Sequence, residues 1–205
     1  MASQVAHIVY AQRYFEKVPV NGIKNRDEFM LGCVFPDIRR IDENIRRKDT
    51  HLRFSPVDLD FSGLTDFEAG WKFHLFCDMR REEILNDYDF YSLPNTTELY
   101  NQPAKMLEDE VVYASYNNWE KIVNYFNNPS KVDIGNSVSR ETFELWYAIL
   151  AKYLEKKPND QSIKIFLSKQ PSLINKVNEI VSIVDKLRKG DKVIEILKRV
   201  KDEIV

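Results

Sequence analysis

The sequence predicts an all-α protein. Apolar residues recur every three or four positions along most of the 205-residue chain, which is the spacing of amphipathic helices. Prolines and glycines stand between these segments, where they end one helix and precede the next. No series of alternating apolar and polar residues indicates a β-sheet. We therefore expect a multi-helix bundle.

The first two helices are predicted near the start of the chain. One carries an apolar stripe and ends at Pro19 and the Asn21-Gly22 turn. This stripe comprises Ile8, Ala11, Tyr14, Phe15 and Val18. A short helix over residues 27–34 follows and ends before Pro36, because the residue that precedes a proline resists helical geometry. Residues 37–63 are polar and predict mainly loop.

The helix after this loop has a strong start signal. Thr65 and Glu68 match a capping box, in which each side chain accepts a hydrogen bond from the other residue's backbone amide. We expect this helix to run to about Asn86. Gly70 lies inside it, and glycine is less favourable than alanine there by about 1 kcal/mol. Close packing against another backbone explains such a glycine.

Four more helices complete the prediction. One covers residues 104–126 and another covers residues 140–155. Pro171 then stands as the first residue of a helix that Gly190 ends, and Asp191 caps the last helix. Both of these final helices carry an apolar stripe, so they predict a C-terminal helical hairpin.

The composition is that of an ordinary globular protein, with 43% hydrophobic and 30% charged residues. A net charge of −2 gives no overall attraction to nucleic acid or to an anionic membrane. No secretory signal and no apolar run of about 18 residues is visible, so we expect a cytoplasmic protein without stable membrane insertion. Cys33 and Cys77 are too few for a disulfide framework; one bridge is possible, and buried reduced thiols are the favoured interpretation.

The candidate chemistry begins in the stretch GWKFHLFCDM, residues 70–79. His74 and Asp78 lie four residues apart, so a helix projects both side chains from one face. Burying an imidazole and a carboxylate in an apolar segment is unfavourable unless something pairs with them. Taken alone, the pair is more often a structural contact between a core histidine and a carboxylate than a metal site.

The other two histidines of the chain also occupy suggestive positions. His7 lies near the apolar stripe of the first helix, and His51 lies in the polar connection. Asp37 directly follows Pro36 after an apolar segment, which would fix its carboxylate at a helix end that faces the core. Imidazole nitrogen and carboxylate oxygen are ligands that suit zinc or a similar transition metal.

Together these segments resemble the zinc-dependent phospholipase C family, which is related to the zinc-dependent single-strand nucleases. The matching stretches are Ala6-His7, FMLGCVFPD (Phe29 to Asp37), Thr50-His51 and GWKFHLFCD (Gly70 to Asp78). The likeness covers about the first ninety residues and includes every histidine of the chain. It implies a phospholipase C/nuclease-like helical bundle.

The resemblance also implies a set of metal ligands. Asp37, His51, His74 and Asp78 would hold one zinc ion, and His7 would hold a second that Asp78 bridges to the first. The family places its general base at Asp37, which would orient or deprotonate the nucleophilic water. Secreted members of the family draw further ligands from a free amino terminus and from later histidines, but no histidine follows His74 here. We expect one or two ions, either zinc or another divalent transition metal.

Basic residues near these ligands are candidates for binding phosphate. Arg39, Arg40 and Arg53 are the favoured ones, because a guanidinium group binds phosphate oxygens bidentately. The other basic residues of this segment are interspersed with acids and indicate a solvated loop. The acidic run at residues 108–110 offers a further ligand or a partner to one, although acids at the start of a helix more often simply stabilise its N-terminus.

The sequence thus predicts a metal-dependent hydrolase of a phosphate ester, phosphodiesterase- or phospholipase C-like, with metal-bound water as the nucleophile. Zinc with an open coordination position lowers the pKa of water to about 7. The substrate would be a phosphate-bearing small molecule or lipid. The His-Asp phosphohydrolase class is disfavoured, because the chain has no adjacent His-Asp pair.

The alternative is a non-catalytic helical interaction protein with a structural metal or none. In that interpretation the C-terminal hairpin binds a partner helix or self-associates into a homo-oligomer. For either function we expect a metal-binding helical domain over residues 1–157 and the helical hairpin over residues 158–205, packed on the same domain.

Overall fold

Helices account for all the regular secondary structure in the part of the chain that is described. This computed structural model describes residues 3–18, 22–134 and 138–205. These segments contain ten α-helices and no strand, which confirms the all-α prediction. The helices are α1 (Gln4–Lys17), α2 (Arg26–Val34), α3 (Arg47–His51), α4 (Asp66–Asp87), α5 (Gln102–Val112), α6 (Trp119–Asn127), α7 (Arg140–Leu154), α8 (Asp160–Ser168), α9 (Val177–Leu187) and α10 (Asp191–Glu203). Among the described residues, no helix is both long and apolar enough to cross a bilayer.

The boundaries of α2, α4 and α7 agree with the sequence prediction to within one or two residues. Thr65 and Glu68 form the expected capping box at the start of α4, with the Thr65 hydroxyl accepting from the Glu68 amide at 3.2 Å. The predicted helix-ending residues Pro19 and Asn21 lie outside the described residues.

The polar segment at residues 37–63 is more ordered than predicted. A 3₁₀ turn spans Phe35–Arg40, and α3 spans Arg47–His51. Trp71 of α4 fixes α3 in place, because its indole Nε1 donates to the Thr50 carbonyl at 2.6 Å. This contact joins residues far apart in sequence, which is why local patterns did not reveal the short helix.

The single helix predicted over residues 104–126 is wrong. The chain leaves the helix at Val112, passes through the 3₁₀ turn Tyr113–Ser115 and re-enters a helix at Trp119. Trp119 stacks on Tyr113 with ring centroids 4.5 Å apart, and its Nε1 donates to the Tyr113 carbonyl at 3.0 Å. These contacts hold the break, so the apolar periodicity continues through it while the backbone does not.

The C-terminal hairpin is present, but its start differs from the prediction. The long predicted helix begins only at Val177, and Pro171 lies in a turn that precedes it. An additional helix, α8, was missed, although Asn159 and Ser162 form a capping box at its start. Asp191 is the first residue of α10, whose N-cap Gly190 has no side chain to cap with, so the predicted cap is also wrong.

Two glycines let α2 and α4 cross with their backbones in contact. A Cβ atom on Gly70 would lie 1.9 Å from the Phe29 carbonyl oxygen, and one on Gly32 would lie 2.0 Å from the Phe67 carbonyl oxygen. Both distances are too short for any side chain, so only glycine fits. The close approach expected at Gly70 is therefore confirmed.

Two side chains of α7 donate to carbonyls in the last turn of α2. Tyr147 and Trp146 of α7 donate to the carbonyls of Leu31 and Val34 at 2.7 and 3.0 Å. Together with the glycine crossing, these bonds fix the end of α2 against α4 and α7.

The hairpin helices α9 and α10 pack on α5, and α10 also contacts α1 and α4. At the edge of this contact Lys17 donates to the backbone carbonyls of Asp202 and Val205 at 2.7 and 2.9 Å. The chain's last helix therefore covers the helices that carry the candidate ligands.

Candidate metal centre

The five predicted metal ligands lie together in the interior. Ligand atoms of His7, His74 and Asp78 lie within 4.8 Å of one another, and ligand atoms of Asp37, His51 and His74 do the same. His74 belongs to both groups and joins them. We refer to these five residues as the ligand cluster. The ligand cluster thus brings together side chains from α1, the 3₁₀ turn, α3 and α4.

The two ring nitrogens of His74 have different environments. Nδ1 lies 2.8 Å from the Cys33 carbonyl oxygen, which can only accept a hydrogen bond. Nδ1 therefore carries the proton, and Nε2 is left with a free lone pair. This Nε2 is buried, has no hydrogen-bond partner and lies 3.5 Å from Asp78 Oδ2. The crossing of α2 and α4 thus sets the tautomer that a metal ion requires.

His7 lies parallel to His74. Their ring centroids are 3.8 Å apart with an angle of 17° between the planes. His7 Nε2 lies 3.4 Å from Asp78 Oδ1, so the two histidines contact opposite oxygens of one carboxylate. Burial alone would raise the pKa of Asp78, but nearby positive charge, to which the His74 ring contributes, holds it well below its usual range.

His51 and Asp37 form the other side of the ligand cluster. His51 Nδ1 lies 2.8 Å from the Thr50 hydroxyl oxygen, while its buried Nε2 has no hydrogen-bond partner. Asp37 Oδ2 accepts from Gln4 Nε2 at 2.7 Å, and Asp37 Oδ1 lies 3.0 Å from Arg40 Nε. Asp37 is 1% exposed, so its carboxylate is held almost entirely out of water.

Burial and neighbouring charges set the protonation states of these residues. Burial and the adjacent His74 ring lower the pKa of His7 to about 4 and that of His51 to about 3. Burial would raise the pKa of Asp37, but Arg40 and the two nearby imidazoles hold it well below its usual range. At neutral pH the rings of His7 and His51 are neutral and the Asp37 carboxylate is ionised, which are the forms that bind metals.

The donor set fits a divalent transition metal. Several of its buried atoms have no hydrogen-bond partner among the described residues, namely both ring nitrogens of His7, Nε2 of His51 and Nε2 of His74. Each such atom destabilises a fold by about 1–3 kcal/mol unless it is satisfied. A cation placed among these nitrogens and the two carboxylates compensates for their burial, and zinc accepts this combination of ligands.

The tautomer of His74 limits how the ions are shared. Its single free nitrogen binds one ion only, because Nδ1 is engaged by Cys33. One ion can therefore bind His74 together with Asp37 and His51, because the ligand atoms of these three residues lie within 4.8 Å of one another. A second ion would have His7 and one oxygen of Asp78 among the described residues, which is a much poorer ligand set.

The three arginines proposed to bind phosphate occupy different places. Arg40 borders the ligand cluster through Asp37. Burial lowers the pKa of the half-buried Arg39 guanidinium, and the charge of Asp37 opposes this effect. Arg53 is engaged elsewhere, because its Nη2 lies 2.5 Å from Glu68 Oε1 and its guanidinium covers the Trp71 ring.

The acidic run at residues 108–110 supports α1 and α4 rather than starting a helix, so the position expected for it is wrong. Glu108 accepts from Arg81 Nε at 2.7 Å and from the Tyr10 hydroxyl, and both charged groups are fully buried. Asp109 accepts from the Ala6 amide at 3.0 Å, which satisfies one of the free amides in the first turn of α1. These acids fix the helix that carries the first histidine.

Sequence reasoning missed three polar residues around the ligand cluster, namely Gln4, Arg81 and Lys105. Gln4 precedes His7 by three residues, and Arg81 follows Asp78 by three, so helical spacing alone placed both beside a ligand. Lys105 carries no such signal.

No protein-family model, curated protein or solved structure matches the chain. The likeness to zinc-dependent phospholipases therefore stays a prediction, and function has to be argued from the site.

Proposed function

We propose that the protein is a metal-dependent hydrolase of phosphate esters with a phospholipase C/nuclease-like bundle. In this proposal Asp37, His51, His74 and Asp78 hold one tightly bound ion, most simply zinc, and His7 borders a weaker second position. The observation that carries the proposal is the convergence of two carboxylates with three buried imidazoles, and the Nε2 atom of each imidazole has no hydrogen-bond partner among the described residues.

The chain's own residues divide the work around the ion. A bound zinc ion supplies Lewis-acid activation of water and of a phosphoryl group. Asp37 acts as a ligand rather than as the general base suggested by the resemblance, because a base needs a pKa near the working pH and that of Asp37 lies far below it. Arg40 keeps this carboxylate ionised. Gln4 and the Cys33 carbonyl orient Asp37 and His74.

A zinc titration tests the metal site. Metal-stripped protein should take up one zinc ion tightly, and His74→Ala should lose that tight uptake. A Cys33→Ala/Cys77→Ala double variant is the matched control, since burial raises the pKa of both thiols and neither belongs to the ligand cluster. Wild-type protein that takes up no zinc, or a His74→Ala variant that binds it equally well, would overturn the assignment.

A hydrolysis assay tests the reaction. Zinc-loaded protein should cleave a chromogenic phosphodiester or phosphomonoester, a chelator should abolish the activity, and added zinc should restore it. Absence of hydrolysis of both ester types by protein that holds its zinc would exclude the proposed reaction and leave the metal site standing.

The second candidate is a structural metal in an interaction protein, and one observation favours it. His7 and His74 are fully buried and the Asp78 side chain is only 11% exposed, whereas a catalytic ion keeps a position open to substrate. Zinc that raises the melting temperature strongly, exchanges slowly with chelator and supports no hydrolysis would identify this function.

A further inference from the structure

Lys105 of α5 is a buried lysine with no polar partner among the described residues. Lys105 is 5% exposed, and its Nζ makes no hydrogen bond or ion pair with the described residues. The other lysine at similar depth is Lys72, which is 7% exposed and pairs with Asp58 at 2.5 Å. An unpaired buried ammonium group is unfavourable, so an anion that is not part of the chain would stabilise it.

Lys105 lies in a row of cations that begins at the ligand cluster. Gln102, Lys105 and Glu108 follow one another at three-residue spacing on one face of α5. Gln102 Oε1 accepts from Arg40 Nη1 at 3.4 Å, and Glu108 Oε2 accepts from Arg81 Nε at 2.7 Å. Lys105 therefore lies between the two arginines along this face.

The cationic side chains in this row outnumber the carboxylates that contact them. Arg81 Nε donates to Glu108, while its buried Nη1 and Nη2 have no hydrogen-bond partner in the part of the chain that is described. Burial and the charges of Arg40 and Arg81 lower the pKa of Lys105 to about 8. Three cations with several free N–H donors suit a tetrahedral oxyanion, which offers several acceptor oxygens.

A cavity gives access to Lys105. Its volume is about 450 Å³, within the range of small-molecule sites. The lining residues are Glu82, Tyr91, Thr97, Tyr100, Asn101 and Lys105. Asn101 is the N-cap of α5 but makes no capping bond, and its buried Oδ1 has no partner.

The cavity wall is also conformationally strained. Leu99, Tyr100 and Asn101 have φ values of 49°, 55° and 64°. Consecutive left-handed residues other than glycine are unfavourable and are often found at ligand-binding sites. Tyr100 is 90% exposed at the rim, where it is available to cover a bound molecule.

We propose that Lys105, with Arg40 and Arg81 beside it, binds the phosphate group of a small phosphorylated ligand in this cavity next to the ligand cluster. The inference rests on the proposed function in that it names the substrate class of the same site. Glu82 on the rim and the net charge of −2 disfavour a polyanion such as nucleic acid.

Calorimetry with inorganic phosphate as the probe tests the inference on the full chain, both metal-stripped and zinc-loaded. Wild-type protein should bind phosphate in both forms, and Lys105→Met should weaken binding by about tenfold or more. Lys72→Met is the matched control and should bind like wild type. Equal binding by wild type and Lys105→Met, or no binding by wild type, would overturn the inference. Because the metal-stripped arm needs no zinc, this outcome is separate from failure of the metal site.

Stability gives a second readout. In phosphate-free buffer Lys105→Met should melt no lower than wild type, because it removes an unpaired charge while it keeps the volume of the side chain. Phosphate should raise the melting temperature of the wild type and leave that of the variant unchanged. A variant less stable than wild type without phosphate would assign Lys105 a purely structural role and contradict the inference.

The source of the phosphate group is tested with two further probes, glycerol 3-phosphate and vesicles that contain phosphatidic acid. Binding of glycerol 3-phosphate that depends on Lys105 supports a small ligand. Vesicle binding that depends on Lys105, without binding of glycerol 3-phosphate, would replace the small ligand by a lipid headgroup.

Discussion

At the scale of single residues, the ligand cluster depends on the burial of groups that normally stay in water. His7 and His74 are fully buried, and the chain has only one further histidine, which is in the same cluster. Such burial is unfavourable in the absence of metal. We infer that stability has been traded for a preformed site, as is common where side chains perform chemistry.

The burial of these groups predicts that the stability of the metal-stripped protein depends on pH. The pKa of His7 is about 4 in the fold, against about 6.5 in the unfolded chain. Between these values the unfolded chain binds more protons, so the free energy of unfolding falls as the pH is lowered from about 6.5 to about 4. The contribution of His7 is on the order of 3 kcal/mol.

Urea unfolding at pH 7 and pH 4.5 measures this effect. His7→Gln should lose less stability on acidification than wild type, because glutamine does not titrate. Parallel losses in the two proteins would show that His7 is not held in the neutral form.

The buried pair Arg81–Glu108 gives a second prediction at this scale. Glu108→Gln should destabilise the protein by about 3–5 kcal/mol, because it leaves a fully buried guanidinium without its carboxylate. Glu83→Gln removes the partner of Arg80 in a solvent-exposed pair and should change stability by less than about 1 kcal/mol. Urea denaturation compares the two variants, and equal effects would contradict the account.

At the scale of elements, the crossing of α2 and α4 controls both packing and chemistry. Gly70→Ala should lower stability and weaken zinc binding, because the new methyl group would meet the Phe29 carbonyl and push apart the helices that carry Cys33 and His74. Helix propensity alone predicts the opposite, a gain of about 1 kcal/mol.

Thermal unfolding and zinc titration of Gly70→Ala together show whether the substitution lowers stability through the steric clash or raises it through helix propensity. Glu83→Ala, on the exposed side of the same helix, is the control and should leave zinc affinity unchanged. A Gly70→Ala variant that is more stable and binds zinc normally would show that the close approach has no role in the site.

The elements that sequence patterns predict well are those with local signals. The capping box of Thr65 and Glu68 fixed the start of α4, and four of the five residues in the predicted first stripe lie within α1. The break after Val112 depends on a stacking contact with Trp119, and α3 depends on a bond from Trp71, so neither has a local signal.

At the scale of the whole molecule, the last two helices act as part of the core. The buried apolar residues of α10 are Val193, Ile196, Leu197 and Val200, and this helix contacts α1, α4 and α5. Its stripe is therefore used within the chain. Homo-oligomerisation through the hairpin stays a prediction, and it would have to use the polar outer face.

Deletion of residues 177–205 tests this organisation. Removing α9 and α10 exposes apolar surface on α5, so we expect loss of cooperative thermal unfolding together with loss of zinc binding. Circular dichroism and a zinc titration measure both. A truncated protein that unfolds cooperatively and retains zinc would show that the hairpin is an appendage.

The ligand cluster itself was largely predictable, whereas its surroundings were not. The spacing of His74 and Asp78 and the location of every histidine predicted that these side chains lie close together, as they do. Lys105 and Arg81 gain their roles from contacts between α4 and α5 and the turn that carries Arg40. Such contacts depend on the packing of distant segments, which periodicity does not describe.

X-ray absorption at the zinc edge of zinc-loaded protein tests the central claim most directly. The account predicts a first shell of nitrogen and oxygen at about 2.0–2.1 Å with the outer-shell signature of imidazole. A sulfur shell at about 2.3 Å, or a hydrated ion without imidazole, would show that Cys33, Cys77 or the surface binds the metal and that the ligand cluster does not.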